Sequence, residues 1–254
     1  MLIRLYDKWF YTDPNFSSYT GAVVKRMVEP GIDLKSIRPV DYILISHNHF
    51  DHLDQPSLRL LRGSRHLFVP EGGLTYIPKD VIREVHGVQN FDVYEEGGVR
   101  IAAVPVKHFG GRWLVDNLWD GQPYTGYIIQ YRGVTVFFAG DTGYSETLFK
   151  NLKSEYNIDV ALIPVGPAGG FSSGGFGNAI HVNPLGGVQI FKDCGAKFMI
   201  PIHHSTFYRR GGREMDQIRQ AIAESTRAED IFLLDIGETV VLKRTRNGKL
   251  QRVR

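Results

Sequence analysis

The sequence predicts a mixed α/β or α+β domain, and two observations carry this prediction. Short apolar runs alternate with amphipathic stretches along all 254 residues, which is the pattern of strands interleaved with helices. In addition, 43% of the residues are hydrophobic, and no low-complexity tract or linker divides the chain. We therefore predict a single domain over residues 1–254, with one core of ordinary size.

Several runs have the length and the β-branched or aromatic content of strands. These predicted strands cover Leu2–Tyr11, Tyr42–Ser46, His66–Val69, Val99–Val106, Tyr124–Tyr131, Thr135–Ala139, Val160–Val165, Phe198–Ile202 and Thr239–Lys243. Other stretches have helical spacing, and two of them place a proline in the expected first turn. These predicted helices cover Gln55–Leu61, Lys79–Val85, Glu146–Leu152, Pro184–Cys194 and Glu214–Ser225.

Composition excludes several classes of protein. The single cysteine, Cys194, cannot form an internal disulfide or a site built from several thiolates. No stretch approaches the roughly 20 apolar residues that span a bilayer, and the first residues lack the apolar segment of a signal peptide. The net charge of +3 fits an anionic substrate and is too small to indicate nucleic-acid binding. We therefore expect a cytoplasmic protein that acts on a small molecule.

The strongest functional pattern follows the apolar run that ends at Ile45. The next nine residues read Ser-His-Asn-His-Phe-Asp-His-Leu-Asp, and a helix is expected to begin near Pro56. Imidazoles and a carboxylate therefore crowd onto one strand-to-helix loop; they are His47, His49, Asp51 and His52. Such groups are costly to bury unless they are paired or bind metal, so the loop predicts a metal site. A chance surface cluster is the alternative, and this spacing disfavours it.

Further candidate ligands stand at the ends of other apolar runs: His108, Asp141 and His203. Polar groups at the carboxyl ends of strands tend to gather at the binding edge of a sheet. Taken singly, each has a structural alternative, as a capping aspartate or a core histidine bonded to a carbonyl. Taken together with the loop, they complete two metal sites. One consists of His47, His49 and His108, and the other of Asp51, His52 and His203. Asp141 is placed to bridge the two sites. Imidazole and carboxylate suit zinc, iron or manganese, and ligand type alone does not choose among them.

These motifs resemble those of the metallo-β-lactamase superfamily. The order His-Asn-His-Phe-Asp-His, a strand-end histidine, Gly-Asp-Thr-Gly and a final strand-end histidine carries the resemblance. Within the superfamily the chain is more similar to the branch of N-acylphosphatidylethanolamine phospholipase D and the bacterial ascorbate-phosphate lactonases. The segments that indicate this branch are Thr12–Pro14, Phe137–Tyr144, Ala161–Gly166, His181–Pro184 and Pro201–Phe207.

The resemblance implies a four-layer αββα sandwich with a dinuclear metal centre at one edge of its sheets. It implies that the ligands are His47, His49, Asp51, His52, His108, Asp141 and His203. Catalytic roles are expected for Asp51 and His181. His181 matches a position of the family that contacts substrate or aids proton transfer. The alternative for His181 is a role in helix capping or packing. His204 is expected to line the pocket or to exchange with His203 as ligand, and Asp13 and Asp54 to orient ligating imidazoles.

The activity that the resemblance implies is metal-dependent hydrolysis with two divalent cations, either zinc, manganese or iron. The ions would lower the pKa of a shared water, and the hydroxide would attack a phosphorus or carbonyl centre. Phosphodiester hydrolysis of the phospholipase D kind ranks first, and opening of a phosphorylated sugar lactone ranks second. A non-catalytic metal-sensing or nucleic-acid-binding member of the fold is the opposing class; it is disfavoured because no ligand is missing.

Some features depart from the branch or lie outside its pattern. Few residues precede Thr12, where relatives have a further strand, so we expect a sheet edge that faces solvent or a second copy in a homo-oligomer. The glycine-rich Gly166–Gly177 suits a flap over the metals, with Phe171 and Phe176 as apolar contacts, or else an irregular surface loop. His66 and His86 lie in a predicted strand and near a predicted helix end, and we interpret both as structural.

Overall fold

A computed structural model describes residues 1–21, 23–112, 122–166, 175–207, 214–245 and 247–253. The strands are β1 (Leu2–Leu5), β2 (Lys8–Thr12), β3 (Tyr19–Thr20), β4 (Val24–Lys25), β5 (Tyr42–Leu44), β6 (His66–Pro70), β7 (Glu84–Val88), β8 (Val93–Glu96), β9 (Val99–Val104), β10 (Gly126–Tyr131), β11 (Val134–Phe138), β12 (Val160–Pro164), β13 (Phe198–Ile202), β14 (Leu242–Arg244) and β15 (Leu250–Arg252). The α-helices are α1 (Gln55–Leu60), α2 (Glu146–Glu155), α3 (Pro184–Asp193) and α4 (Glu214–Ala223). Within these described ranges, no helix is long and apolar enough to cross a bilayer.

The first sheet has the strand order β1-β2-β5-β6-β7. Strands β1 and β2 form an antiparallel hairpin, and β2, β5, β6 and β7 are parallel to one another. The hairpin replaces the single strand predicted over Leu2–Tyr11, because Tyr6 adopts a φ of 54° and reverses the chain. Since parallel strands end at the same edge of a sheet, the loops after β2 and β5 open side by side.

The second sheet has the strand order β13-β12-β11-β10-β9-β8. Strands β8 to β11 are antiparallel neighbours, whereas β11, β12 and β13 are parallel. Because β9 and β11 both pair antiparallel with β10, they run in the same direction. The carboxyl ends of β9, β11, β12 and β13 therefore lie along one edge, where the predicted strand-end ligands follow.

Apolar side chains fill three clusters, and these define the layers. The cluster between the sheets contains Phe10, Leu44 and Phe68 from one sheet and Tyr127, Phe138 and Leu162 from the other. A second cluster packs Leu58 of α1 against Ile43 of the first sheet. The third packs Phe149, Phe191 and Ile218, from α2, α3 and α4, against the second sheet. The order helix, sheet, sheet, helix confirms the predicted αββα sandwich, and each fully buried phenylalanine or leucine stabilises it by about 1.5–3 kcal/mol.

Some predicted elements differ from the structure. The helix predicted over Lys79–Val85 is wrong, because the chain from Glu84 to Val88 is β7 and pairs with β6 along its whole length. Val81 and Ile82 instead lie buried in the cluster beneath the first sheet, which explains the apolar spacing. Of the expected glycine-rich flap, residues 167–174, including Phe171, lie outside the described residues; Phe176 packs on Tyr144 with ring centroids 4.8 Å apart.

Candidate metal centre

The loop between β5 and α1 holds four of the predicted ligands. The carbonyl of His49 accepts hydrogen bonds from the N–H groups of His52 and Leu53, at 3.1 and 2.9 Å, which closes a tight turn. The loop ends where the Asp54 carboxylate caps α1 by accepting a hydrogen bond from the Ser57 N–H at 3.1 Å. Within this short span, the ring centroid of His47 lies 4.0 Å from that of His52 and 4.5 Å from that of His49.

The second sheet supplies the remaining ligands from the ends of its strands. His108 follows β9, Asp141 follows β11 and His203 follows β13. The first two loops are tied together, because the Lys107 N–H donates to Thr142 Oγ1 at 2.9 Å and the Gly143 N–H donates to the Lys107 carbonyl at 2.6 Å. This double link fixes the distance between His108 and Asp141.

The structure brings all seven predicted ligand side chains together, in the two groups that the sequence predicts. Nitrogen atoms of His47, His49 and His108 lie within 4.8 Å of one another, and so do ligand atoms of Asp51, His52 and His203. Asp141 is close to members of both groups: its Oδ2 is 3.4 Å from His52 Nε2 and 3.3 Å from His203 Nε2, and one of its carboxylate oxygens lies within 4.8 Å of a ring nitrogen of His108. The Nε2 atoms of His52 and His203 are also each 3.5 Å from Asp51 Oδ2.

Contacts behind the ligands fix which ring nitrogen faces the centre. The Nδ1 atom of His52 lies 2.6 Å from Asp13 Oδ2. The Nδ1 atom of His108 lies 2.8 Å from the Ile180 carbonyl oxygen, and that of His203 lies 3.0 Å from the Gly166 carbonyl oxygen. A proton on each Nδ1 satisfies these acceptors and leaves Nε2 turned towards the shared space. Asp13 is therefore placed to orient the imidazole of a predicted ligand, His52. The same expectation for Asp54 is wrong, because its carboxylate caps α1 and accepts from Ser17 and Ser57.

Buried polar atoms without partners mark the space between the two groups. Among the described residues, His52 Nε2, His108 Nε2, Asp141 Oδ1 and His181 Nδ1 are buried and make no hydrogen bond. Leaving such atoms unsatisfied costs about 1–3 kcal/mol each in a packed protein. Nitrogen and oxygen donors that converge in this way are the ligands that divalent transition-metal ions take, so the residues fit the metals that the fold implies.

The charges in the centre also call for a cation. Burial lowers the pKa of His49 to about 4 and that of His108 to about 3, so both rings are neutral, as ligands must be. Burial opposes ionisation of Asp141, yet the His203 and His52 rings hold its pKa well below the usual range. Burial lowers the pKa of His203, but the Asp141 carboxylate outweighs burial and raises this pKa to about 9. Without metal, protonated imidazoles therefore supply the positive charge that the carboxylates require.

This coupling predicts the pH dependence of the metal-free protein. The His203 pKa is about 9 in the folded chain against an ordinary 6.5, so its contribution to stability is fully present below pH 6.5 and is lost as the pH rises towards 9. We expect the free energy of unfolding, measured with urea in the presence of a chelator, to fall by a few kcal/mol from this group between pH 6.5 and 9. Saturating Zn²⁺ should remove that decline; an unchanged profile in chelator would contradict the assignment.

Left-handed backbone occurs at several residues around the centre. Asp13 has a φ of 41° and His203 a φ of 60°, conformations that cost non-glycine residues about 1–3 kcal/mol and cluster at functional sites. Gly140, directly before Asp141, has a φ of 60°, and a Cβ there would lie 2.4 Å from the Cβ of Ser46. Ser46 is held in place, because its Oγ donates to Asp13 at 2.6 Å and lies 2.9 Å from His47 Nδ1. Only glycine at position 140 therefore lets the two sheets approach this closely.

His181 faces the centre from the segment before α3. Asn178 Oδ1 accepts hydrogen bonds from the N–H groups of Ile180 and His181, at 2.9 and 2.7 Å, and this turn presents the ring. Its Nδ1 lies 3.6 Å from Asp141 Oδ2, and its ring centroid is 4.9 Å from that of His108. The capping alternative is wrong, because Asn183 caps α3 by accepting from the Gly186 N–H at 2.9 Å.

Asp13→Asn is expected to weaken metal binding without unfolding the chain. The change keeps the shape of the side chain but removes the charge that lies 2.6 Å from His52 Nδ1. Loss of such an outer partner costs roughly 10–100-fold in metal affinity, which a competition titration with a chromophoric chelator measures. Asp54→Asn is the matched control, since asparagine also caps helices well and the contacts given for this carboxylate are to Ser17 and Ser57, not to an imidazole. Equal affinities in the two variants would show that Asp13 does not support the centre.

Fold and donor set together define a class of protein, the metal-dependent hydrolases with the metallo-β-lactamase fold. The chain belongs to the family described as Beta-lactamase superfamily domain, whose model matches residues 8–204. The family prediction is thereby confirmed.

Curated relatives agree with the predicted branch. A Saccharomyces cerevisiae protein named N-acyl-phosphatidylethanolamine-hydrolyzing phospholipase D, mitochondrial, is 30% identical over 215 residues, which cover 79% of this chain and 44% of that protein. A metal-dependent hydrolase of Methanoregula boonei is 29% identical over 229 residues, covering 85% of this chain and 90% of that one. The chain spans 44% of the yeast relative and 49% of mycobacterial relatives, about half the length of these proteins.

The fold has solved counterparts at low sequence identity. An isothiocyanate hydrolase from Delia radicum gut bacteria superposes with a TM-score of 0.70 at 15% identity, over 93% of this chain and 94% of that one. Identity this low supports the shared fold alone. Because one fold carries several hydrolytic reactions, the substrate has to be argued from the site.

Proposed function

We propose that this chain hydrolyses phosphodiesters with two divalent cations held by the seven converging ligands. The observation that carries the proposal is the group of buried, partnerless donor atoms around Asp141. His47, His49 and His108 would hold one ion, Asp51, His52 and His203 the other, and Asp141 would bridge them. When bound, divalent ions at such a site lower the pKa of a coordinated water and polarise the oxygen that is attacked. Zinc, manganese and iron all suit these ligands.

Exposure indicates the side from which substrate approaches. The side chain of Asp141 is 3% exposed, whereas those of Asp51, His181 and His203 are 33%, 23% and 21% exposed. Substrate therefore meets Asp51 and His181 first. Asp51 is placed to accept a hydrogen bond from the attacking water, and His181 to give a proton to the leaving oxygen.

The charge balance of the site favours an anion. While the coordinated water is still protonated, two divalent cations would outweigh the three carboxylates of Asp13, Asp51 and Asp141 by one positive charge, which attracts a singly charged phosphodiester. Phe109 is 43% exposed, and its ring centroid lies 4.6 Å from that of His49, so the mouth offers an apolar contact to one substituent. The phospholipase D relatives, named for a phosphodiester substrate, support the same choice.

A small substrate panel tests the proposal against its alternatives. The metal-loaded chain is assayed with bis(p-nitrophenyl) phosphate, p-nitrophenyl phosphate and a phosphorylated sugar lactone, with and without chelator. We expect turnover of the diester that chelator removes and Zn²⁺ or Mn²⁺ restores, and much slower turnover of the monoester. Lactone opening without diester turnover would replace the proposal by the lactonase. Full metal loading without any turnover would point to a non-catalytic, metal-sensing or binding member of the fold.

A further inference from the structure

A second cluster of imidazoles and carboxylates lies far from the metal centre, where the edges of the two sheets meet. We call it the edge cluster; it consists of His66, Glu84, His86 and Glu96. His66 begins β6 and pairs in register with Glu84 of β7, the edge strand of the first sheet. Because side chains alternate along a strand, Glu84 and His86 share the face on which His66 lies. The metal centre follows the carboxyl ends of the strands, so the edge cluster is at the opposite end of β6.

Distances within the edge cluster match a metal-binding geometry. His66 Nδ1 lies 3.2 Å from His86 Nε2 and 3.5 Å from Glu84 Oε2, and ligand atoms of all three residues lie within 4.8 Å of one another. In a tetrahedral site with bonds of about 2.0–2.1 Å, neighbouring ligand atoms are about 3.3–3.4 Å apart. The two distances from His66 Nδ1 are thus close to the edge lengths of such a tetrahedron, and the third pair, His86 and Glu84, lies within 4.8 Å.

The shortest outer contact of His66 is made by Nε2, whereas Nδ1 has only the Tyr94 hydroxyl, at 3.5 Å, besides His86 and Glu84. His66 Nε2 lies 3.2 Å from Glu96 Oε2, and Glu96 is held in turn by the Tyr94 hydroxyl and the Arg65 guanidinium. The carboxylate favours the proton on Nε2, so Nδ1 keeps its lone pair towards His86 and Glu84. A carboxylate behind a histidine is the arrangement that supports ligating imidazoles in metal proteins.

We propose that the edge cluster binds a divalent transition-metal ion through His66 Nδ1, His86 Nε2 and a Glu84 oxygen, with water as the fourth ligand. The His66 side chain is fully buried, whereas that of Glu84 is 54% exposed, so an ion has an entry path. Through Glu96 on β8, the site links the edge strands of the two sheets. Its role is structural and separate from hydrolysis. The competing arrangement is a metal-free pair in which His86 Nε2–H donates to His66 Nδ1.

Metal stoichiometry separates these two arrangements. The metal-stripped full chain is titrated with Zn²⁺ against a chromophoric chelator, as wild type, Glu84→Gln and Glu95→Gln. Glu95 is the matched control, because it is 67% exposed, pairs with Arg100 on the surface and loses the same charge. We expect wild type and Glu95→Gln to bind one more equivalent of Zn²⁺ than Glu84→Gln. The difference does not depend on how many ions the metal centre holds. Equal stoichiometry in all three proteins would overturn the proposal.

Two further readouts keep the test decisive. In ¹⁵N-labelled protein, Zn²⁺ should shift the ring signals of His66 Nδ1 and His86 Nε2, and Glu84→Gln should abolish both shifts. Ring signals that stay unmoved in excess Zn²⁺ would favour the metal-free pair. Diester hydrolysis by Glu84→Gln should equal that of wild type, because the edge cluster lies away from the metal centre. Loss of hydrolysis together with the extra equivalent would contradict a separate structural site.

Discussion

Asp141→Asn is expected to remove metal-dependent hydrolysis almost completely while the chain stays folded. The carboxylate is buried and lies 3.3–3.4 Å from the Nε2 atoms of His52 and His203, which belong to one ligand group. A carboxylate oxygen also lies within 4.8 Å of a ring nitrogen of His108, which belongs to the other group. Asparagine keeps the size of the side chain but supplies neither the negative charge nor a bridging carboxylate. Removal of one charge-stabilising group from an active site typically costs about 10²–10³-fold in turnover, and loss of a bridge should cost at least that much.

The matched control for this variant is Asp159→Asn. Asp159 is an equally buried aspartate beside β12, but it accepts from the Thr135 N–H at 2.9 Å and pairs with Lys197, away from the metal centre. Turnover of bis(p-nitrophenyl) phosphate and bound Zn²⁺ are measured for both. Asp159→Asn should lose stability and keep turnover per metal-loaded molecule. If Asp141→Asn retains wild-type turnover, the assignment of Asp141 as the bridge between the two ions is wrong, and so is the proposed reaction.

The convergence of the candidate ligands could be predicted from the sequence because these residues follow a local rule. Four stand on one loop, and the others each come directly after an apolar run that ends at the same edge of the sheets. A strand of buried residues such as Ile43 and Ile45 fixes where the chain leaves the core. The polar residues that follow it within a few positions then have little freedom in where they can lie. Spacing within a loop and position after a strand were therefore sufficient to bring these side chains together.

Asp54 shows where the same reasoning fails. Its place at the end of a ligand-rich loop suggested a contact with an imidazole, yet helix α1 needs a cap at the same position. The N–H groups of the first helical turn have no partner within the helix, and the aspartate satisfies one of them. Asp13 is far away in sequence but reaches His52 because β2 and β5 are parallel neighbours. Which aspartate orients the ring is decided by strand order, which spacing does not reveal.

The edge cluster was missed for a related reason. His66 and Glu84 become neighbours only through the register of β6 on β7, and the first two residues of β7 were predicted as the end of a helix over Lys79–Val85. Val81 and Ile82 are buried just before β7, and the pairing of that edge strand with β6 outweighs any local preference for a helix. Once the helix is replaced by a strand, Glu84 and His86 fall on one face beside His66. The sequence signal for the edge cluster is the Glu-x-His spacing of Glu84 and His86, because side chains two residues apart share a face in a strand and not in a helix.

His181→Gln is expected to slow hydrolysis strongly without changing the number of metal ions bound. The ring lies at the open side of the metal centre, with Nδ1 3.6 Å from Asp141 Oδ2, and Asn178 holds its backbone in place. Glutamine can donate a hydrogen bond but cannot transfer a proton at neutral pH. Loss of a general acid typically costs about 10²–10⁴-fold in turnover.

The dependence on the leaving group separates proton transfer from a merely structural role. A p-nitrophenolate leaves without help, whereas an alkoxide needs a proton, so His181→Gln should lose far more turnover on an alkyl diester than on bis(p-nitrophenyl) phosphate. His204→Gln is the matched control: its Nδ1 lies 3.4 Å from Ser205 Oγ, and His203 is the neighbour that joins the ligand group. That variant should slow both substrates alike, or neither. Equal losses on the two diesters in His181→Gln would mean that the ring positions substrate and moves no proton.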